Sequence, residues 1–246
     1  MHSTSYTPGY SAPVLSFMEE RAADTHGGFF LPQLMPGWRV LDAGCGPGTI
    51  TLGLARRVAP GPVMGIDIED SQFGKAREQA EPEGLNVEFR KASVYQLPFE
   101  DKCFDAVFSH ALLEHLSDPS AALAEFRRVL KPGGLIGLRA GDMGGMLIDS
   151  ESEGPANCLA AYIAKREKNS GDPNVGRKLG RLLRKAGFTV QRITASYEVI
   201  TETLLKIGPS LAAQFGAPSY CSLHDTTGDD SLFVALAWCE AIARAQ

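Results

Sequence analysis

The chain has 246 residues, a formal net charge of −5, 44% hydrophobic side chains and 22% charged ones, an ordinary composition for one large globular domain. The acidic balance argues against a general affinity for phosphate backbones, so no nucleic-acid partner is expected, and no apolar run is long enough for a membrane-spanning helix. The cysteines, at 45, 103, 158, 221 and 239, show neither a disulfide framework nor zinc-ligand spacing; no metal site is expected, and scattered thiols fit a reducing cytoplasm.

In chain order, Met1 to Pro13 reads as an irregular arm without the basic and apolar regions of a secretory signal. Val14 to Ala23 and Thr25 to Leu34 read as two short helices, closed by Pro36-Gly37. Arg39 to Ala43 then reads as a buried strand, Gly44 to Gly48 as a sharp turn, and Thr49 to Val58 as a helix with Ile50, Leu54 and Val58 on one face. The alternation continues with a strand at Val63 to Asp67, a helix at Ser71 to Ala80, and strands at Val87 to Lys91 and Phe104 to Ser109. A helix at Pro119 to Leu130 is ended by Lys131-Pro132-Gly133-Gly134, and a fifth strand follows at Leu135 to Arg139. Phe73, Phe126 and Val129 fall at helical spacing and read as core.

After Ala140 the pattern changes. Gly141 to Gly154 is glycine-rich and acidic and reads as a loop able to cover a site. Helices are expected at Ala156 to Lys168 and Asn174 to Ala186, a strand at Phe188 to Ile200, and a last, antiparallel strand at Leu232 to Ala243. The expected fold is α/β: a Rossmann-like, doubly wound, mostly parallel seven-stranded sheet with helices on both faces and an N-terminal helical lid. Residues 1–35 form the arm and lid, and 36–246 the cofactor-binding domain, with a substrate-covering insertion around 141–175.

The turn at Gly44-Cys45-Gly46-Pro47-Gly48 carries the chemistry. Glycine lets the backbone approach a ligand closely, and a following helix points N–H groups at it. Asp67, ending the second strand, can accept hydrogen bonds from ribose hydroxyls. Together they read as adenosine binding. The loop departs from the dinucleotide pattern G-x-G-x-x-G, because the third small position from Gly44 would be Thr49 and the third glycine falls early, at Gly48. A smaller ligand with a cationic tail fits better than a pyrophosphate, which disfavours a nucleotide-dependent oxidoreductase.

LDAGCGPGT at 41 to 49 resembles the first motif of class I S-adenosylmethionine-dependent methyltransferases. GIDI at 65 to 68, LPF at 97 to 99, FDAVFSHALLEHL at 104 to 116 and ALAEFRRVLKPGG at 122 to 134 follow in the family's order. RAADTHGGFFLPQLMPG at 21 to 37 is similar to the N-terminal cofactor lid of the ubiquinone/menaquinone-biosynthesis-like branch, whose acceptors are small molecules. The resemblance runs from about Arg21 to Arg139, with a weaker match at Gly180 to Val190.

The resemblance implies a role for each matching residue. Asp42, Gly44, Cys45, Gly46, Gly48 and Thr49 would surround the methionine part of S-adenosylmethionine, with Cys45 as a small space-filler. Asp67 would hold the ribose, Ile68 would pack on the adenine, and Ser93 and Val94 would flank its edge. Ser93 replaces the aspartate of many relatives, which leaves a neutral hydrogen-bonding group there. Ser109 and His110 would lie beside the cofactor and face the substrate. The reaction would leave S-adenosylhomocysteine.

His110 is the leading candidate for a general base, because the carboxyl end of a strand opens onto the cleft. His115 is a weaker candidate that also suits a structural role, and Glu114 beside it reads as solvated. His26 lies in the lid, where it touches substrate or caps a helix. His224 is either a late-arriving base or a surface residue. Tyr6 and Tyr10 are candidates to close over a ligand. Arg139 faces either an anionic substrate group or an acid such as Asp142 or Asp149.

The expected function is S-adenosylmethionine-dependent methyl transfer to a small, lipophilic or aromatic metabolite. The alternatives are a macromolecule methyltransferase and an S-adenosylmethionine-binding protein that does not transfer methyl groups, serving in a rearrangement or as a regulatory partner. The N-terminal arm leaves room for a homo-oligomer in which it lies over a neighbouring subunit.

Overall fold

A computed structural model describes residues 7–151, 153–201 and 232–246. Tyr6 and His224 lie outside them. The chain begins with helix α1 (Ala12–Glu19) and the short helix α2 (Ala23–His26). It continues through β1 (Val40–Ala43), α3 (Thr49–Val58), β2 (Val63–Asp67), α4 (Phe73–Ala80) and β3 (Val87–Lys91). Next come β4 (Phe104–His110), α5 (Pro119–Val129), β5 (Leu130–Asp149), α6 (Gly154–Lys168), α7 (Leu179–Lys185), β6 (Phe188–Val199) and β7 (Phe233–Ala245).

The strands form one seven-stranded sheet in the order β3-β2-β1-β4-β5-β7-β6. The first five pair in parallel, as crossover helices require, and β7 runs antiparallel to both β5 and β6. The order in which strands are added reverses between β1 and β4, the switch point of such a sheet, and ligands gather beyond the carboxyl ends there. The Rossmann-like sheet, its helices and the antiparallel last strand therefore agree with the sequence reading. No helix among the described residues is long and apolar enough to cross a membrane.

The largest departure is at Gly141 to Gly154. Residues up to Asp149 continue β5 instead of forming a loop. The cause is a tertiary partner: Gly141 and Asp142 pair with Trp238 and Ala237, and Leu147 to Asp149 pair with Ala235 to Phe233. A register shift between Asp142 and Leu147 absorbs Gly144 and Gly145, so the glycines mark an irregularity inside a strand. Pairing with β7 thus supplies the order that local composition withholds.

The expected helix at Thr25 to Leu34 is also broken. Only Ala23–His26 is α-helical, and a single 3-10 turn covers Leu31–Gln33. The reason is packing. Phe30 is fully buried, stacks on Phe108 with ring centroids 5.9 Å apart, and fills the space above Gly137, where a Cβ would meet its ring at 2.4 Å. Burying an aromatic ring is worth about 2–3 kcal/mol, enough to override a weak helix preference.

Candidate functional site

The glycine turn lies between β1 and α3. Gly44, Gly46 and Gly48 have φ of +78°, +51° and +83°, a region that costs other residues strain. Gly48 also admits close packing: a Cβ there would stand 2.7 Å from the ring of Phe89 and 2.9 Å from Ala76. The turn is tied to β2 by Gly44 N and Cys45 N donating to Ile66 O, both at 2.9 Å, and by Gly46 N donating to Asp67 Oδ2 at 2.9 Å. The other Asp67 oxygen accepts from Glu69 N at 3.1 Å. Asp67 therefore organises the turn as well as facing the cleft.

Two adjoining lobes open around this turn. The larger, about 770 Å³ including its open mouth, is lined by Gly44, Asp67, Ile68, Ser93, Val94 and His110, together with Tyr10, Tyr95, Leu112 and His115. The smaller, about 310 Å³, is lined by Asp42, Gly44, Cys45, Gly46, Pro47, Thr49, Ile50 and His110. Met18, Arg21, Gly44 and His110 border both. Of the residues expected around the methionine part, Asp42, Gly44, Cys45, Gly46 and Thr49 line the smaller lobe, and Asp67, Ile68, Ser93 and Val94, expected around the adenosine part, line the larger. Gly48 and Ser109 line neither: Gly48 is packed under Phe89, and the buried Ser109 donates its hydroxyl to Ala43 O at 2.8 Å. Ser109 thus ties β4 to β1 and is spent on that contact.

Asp42 is 2% exposed and accepts from Thr51 Oγ1 at 2.6 Å. Burial pushes its pKa up to about 7, against the Thr51 hydrogen bond, and the nearby Asp67 charge adds to the rise. Burial raises the Asp67 carboxyl too, while its backbone donors oppose the rise. The thiol of Cys45 is pushed well up by burial and by both carboxylates, so Cys45 is inert filler.

His110 is buried, and its Nε2 lies 2.8 Å from Arg139 Nη1. Burial and the charges of Arg21 and Arg139 keep the imidazole neutral, with its pKa well below the usual value. A guanidinium can only donate, so Nε2 is the acceptor and is already engaged. The structure therefore argues against His110 as a free base through Nε2; its ring is a fixed wall shared by the two lobes. His115 is half-buried in the wall of the larger lobe, and desolvation and the charge of Arg166 push its pKa well down. Glu114 corrects another expectation: it is 2% exposed, and Oε1 accepts from Gly141 N at 3.3 Å.

Arg139 meets neither Asp142 nor Asp149. It pairs with Glu198 at 3.1 Å and Glu240 at 3.5 Å, and its guanidinium lies 4.1 Å from the Trp238 ring centroid. Asp142 instead takes Arg177 at 2.5 Å. His26 reaches from the lid to Glu198 at 3.5 Å and packs edge-on against His110, with centroids 5.1 Å apart. Burial alone would raise the Glu198 carboxyl, but His26 and Arg139 together hold it at about 2.

Two cleft residues escaped the sequence reading. Arg21 and Met18 border both lobes, yet they come from the N-terminal helix and the turn after it, far in sequence from the glycine motif. The only signal was the lid-like segment beginning at Arg21, which marks a region and not a side chain. No group of three or more metal-ligating side chains occurs among the described residues.

Residues 41–138 match the methyltransferase domain family. The chain is 32% identical to an uncharacterized methyltransferase of Schizosaccharomyces pombe over 198 residues, which are 78% of this chain and 71% of the yeast protein. It is 38% identical to the ubiquinone biosynthesis O-methyltransferase of Hahella chejuensis over 120 residues, 48% of this chain and 45% of that enzyme. Several curated relatives are thus matched over only about half their length. In architecture it resembles a SAM-dependent methyltransferase of Aquifex aeolicus, with a TM-score of 0.61, 18% identity and coverage of 97% of this chain and 100% of that one. Fold, motif order and overall similarity agree: the chain belongs to the class I S-adenosylmethionine-dependent methyltransferases.

Proposed function

We propose that the chain transfers the methyl group of S-adenosylmethionine to a small, lipophilic or aromatic acceptor. The observation that carries the reading is the two-lobed cleft, with a buried carboxylate (Asp42) in one lobe, a half-buried one (Asp67) in the other, and Arg21 bordering both. Asp42 fits a cationic ligand, because its carboxylate is buried with Thr51 as its hydrogen-bond donor and, among the described residues, without a cationic side chain paired to it. Asp67 lines the lobe suited to adenosine, where it would accept from ribose hydroxyls while Ile68 would pack on the base and Ser93 and Val94 would border its edge. Arg21 has the charge and position to meet the carboxylate of the methionyl part.

When bound, the cofactor supplies an already activated methyl group on a sulfonium. The chain's part is to align the acceptor and exclude water. His110 and Leu112 form the floor beneath the acceptor, and Met18 covers the turn: a Cβ on Gly46 would stand 2.8 Å from the Met18 methyl. An apolar cluster of Ile200, Leu232, Val234, Leu236 and Trp238 continues from the cleft through Ala111, which also lines the larger lobe. This continuity supports a lipophilic acceptor.

The test is incubation with methyl-labelled S-adenosylmethionine and a metabolite extract split into apolar, polar and macromolecular fractions. Label in a small apolar product, with equimolar S-adenosylhomocysteine, is the expected result. Label confined to protein or nucleic acid would overturn the acceptor class, and cofactor binding without any labelled product would overturn the transfer.

A further inference from the structure

Glu114, Arg166 and Trp238 are 2%, 2% and 3% exposed, and each keeps polar atoms without a hydrogen-bond partner: Glu114 Oε2, Arg166 Nε and Nη1, and Trp238 Nε1. Unmet groups at this depth are costly, and a folded chain keeps several together only where something else meets them. The three belong to one neighbourhood. Glu114 Oε1 is held by Gly141 N, Trp238 pairs with Gly141 across the β5–β7 ladder, and a Cβ on Gly141 would lie 3.3 Å from Glu114 Oε1 and 3.8 Å from the indole. Gly171 packs between the Glu114 backbone carbonyl and the Arg166 side chain, and the Arg166 charge lowers the pKa of the Glu114 carboxyl, which burial raises. Arg166 is braced by Tyr162, which accepts from Nη2 and lies beneath the guanidinium at 4.7 Å. Trp238 in turn packs on His110, with ring centroids 5.0 Å apart, so the group adjoins the cleft on the side away from the glycine turn.

The polar inventory defines a ligand. Three donor nitrogens, Arg166 Nε and Nη1 and Trp238 Nε1, call for acceptor lone pairs; Glu114 Oε2 calls for a donor. The charges decide the rest. Arg166 and Glu114 already offset one another, so an anionic ligand would add an uncompensated buried charge beside Glu114, whereas a neutral ligand adds none. We infer that Glu114, Arg166 and Trp238 form the recognition site for the polar end of the acceptor, and that this end is neutral, with a hydroxyl or N–H group next to a carbonyl. The carbonyl accepts from Arg166 and the Trp238 indole, the hydroxyl donates to Glu114, and the hydrophobic remainder rests on the cluster around Val234 and Met143. This rests on the small-acceptor reading above and narrows it.

The experiment uses the full chain saturated with S-adenosylhomocysteine, whose binding is first measured by calorimetry. Failure at that step would count against the methyl-donor site itself. Three probes of similar size are then titrated: 2-hydroxy-1-phenylethanone, acetophenone and mandelate. Binding is followed by calorimetry and by the indole N–H resonance of Trp238, distinguished from that of Trp38 with a Trp38→Phe variant. The hydroxyketone is expected to bind about tenfold more tightly than either control and to shift the Trp238 resonance. Mandelate binding most tightly, equal binding of all three, or an unmoved resonance would overturn the inference. In Glu114→Gln the Arg166 charge loses its counterpart, and mandelate should then overtake the hydroxyketone; an unchanged ranking would also overturn it. Should that variant fail to fold, the ranking on the unaltered chain decides.

Discussion

Arg139 donates to Nε2 of His110 across 2.8 Å, from the neighbouring strand and at the mouth of the cleft. That single contact takes up the nitrogen a general base would present. His110→Gln is therefore expected to reduce turnover by less than about tenfold, well short of the 10²–10⁴ typical when a base is lost. Steady-state rates with an identified acceptor check this, and a loss beyond a hundredfold with cofactor affinity intact would restore His110 as the base.

The same Arg139 is sandwiched among Glu198, Glu240 and the Trp238 ring. Arg139→Met strands two carboxylates in a partly buried place, and a cost of about 3 kcal/mol is expected. Chemical denaturation measures it. A change below about 0.5 kcal/mol would mean the cluster is effectively solvated.

Asp42 links cofactor affinity to pH. Its pKa is pushed up to about 7, and only the ionised form attracts a cationic ligand. Affinity for S-adenosylmethionine should rise as pH increases through about 7 and level off above it. Thr51→Val removes the hydrogen bond that favours the carboxylate, so the midpoint should move upward, and Asp42→Asn should flatten the profile. Stability of the empty protein runs the opposite way. The folded pKa exceeds the ordinary 3.8, so the native state holds the extra proton and stability declines as pH rises from about 4 to 7. Calorimetric titrations at several pH values check the first claim, and thermal melts with and without cofactor check the second.

Glu198 gives the reverse sign. Its pKa is depressed to about 2 by His26 and Arg139. Its contribution is present above the ordinary value of 4.5 and is lost as pH falls from there through about 2. Because His26 belongs to α2, Glu198→Gln should speed hydrogen exchange in residues 23–31 at neutral pH while leaving β1 and β4 protected. Uniform deprotection of both regions would indicate global destabilisation instead of a loosened lid.

Asp67→Ala should weaken S-adenosylhomocysteine binding by about a hundredfold, since it removes both the proposed ribose acceptor and the anchor of Gly46 N. Calorimetry on the folded variant measures this, and wild-type affinity would remove Asp67 from the site.

The parallel half of the fold was legible because its signals are local. The strand at Val40, the turn after it and the helix from Thr49 are adjacent in sequence, and the glycine φ values demand the residues found there. What escaped depended on distant partners. Gly141 to Asp149 carries loop-like composition and becomes strand through β7, almost a hundred residues later. Glu114 reads as a solvated acid from its neighbours in sequence, and its burial comes from Gly141, Gly171 and α6 closing over it. Arg21 enters the cleft because Ala23 packs on Gly53 and Phe30 on Gly137, contacts that no periodicity announces.

The antiparallel extension of β5 against β7 has a consequence for how such a protein diversifies. The donor end rests on the parallel strands and the glycine turn, where added atoms collide with backbone or rings. The wall toward the acceptor is carried on a ribbon that outgrows the parallel layer and contains an irregularity between Asp142 and Leu147. On the proposed reading, replacing Met143, Met146 or Val234 there would change what is admitted while the donor seat stays as it was. A lineage could shift its choice of metabolite by drift along this ribbon, one residue at a time, without a sequence of inactive ancestors.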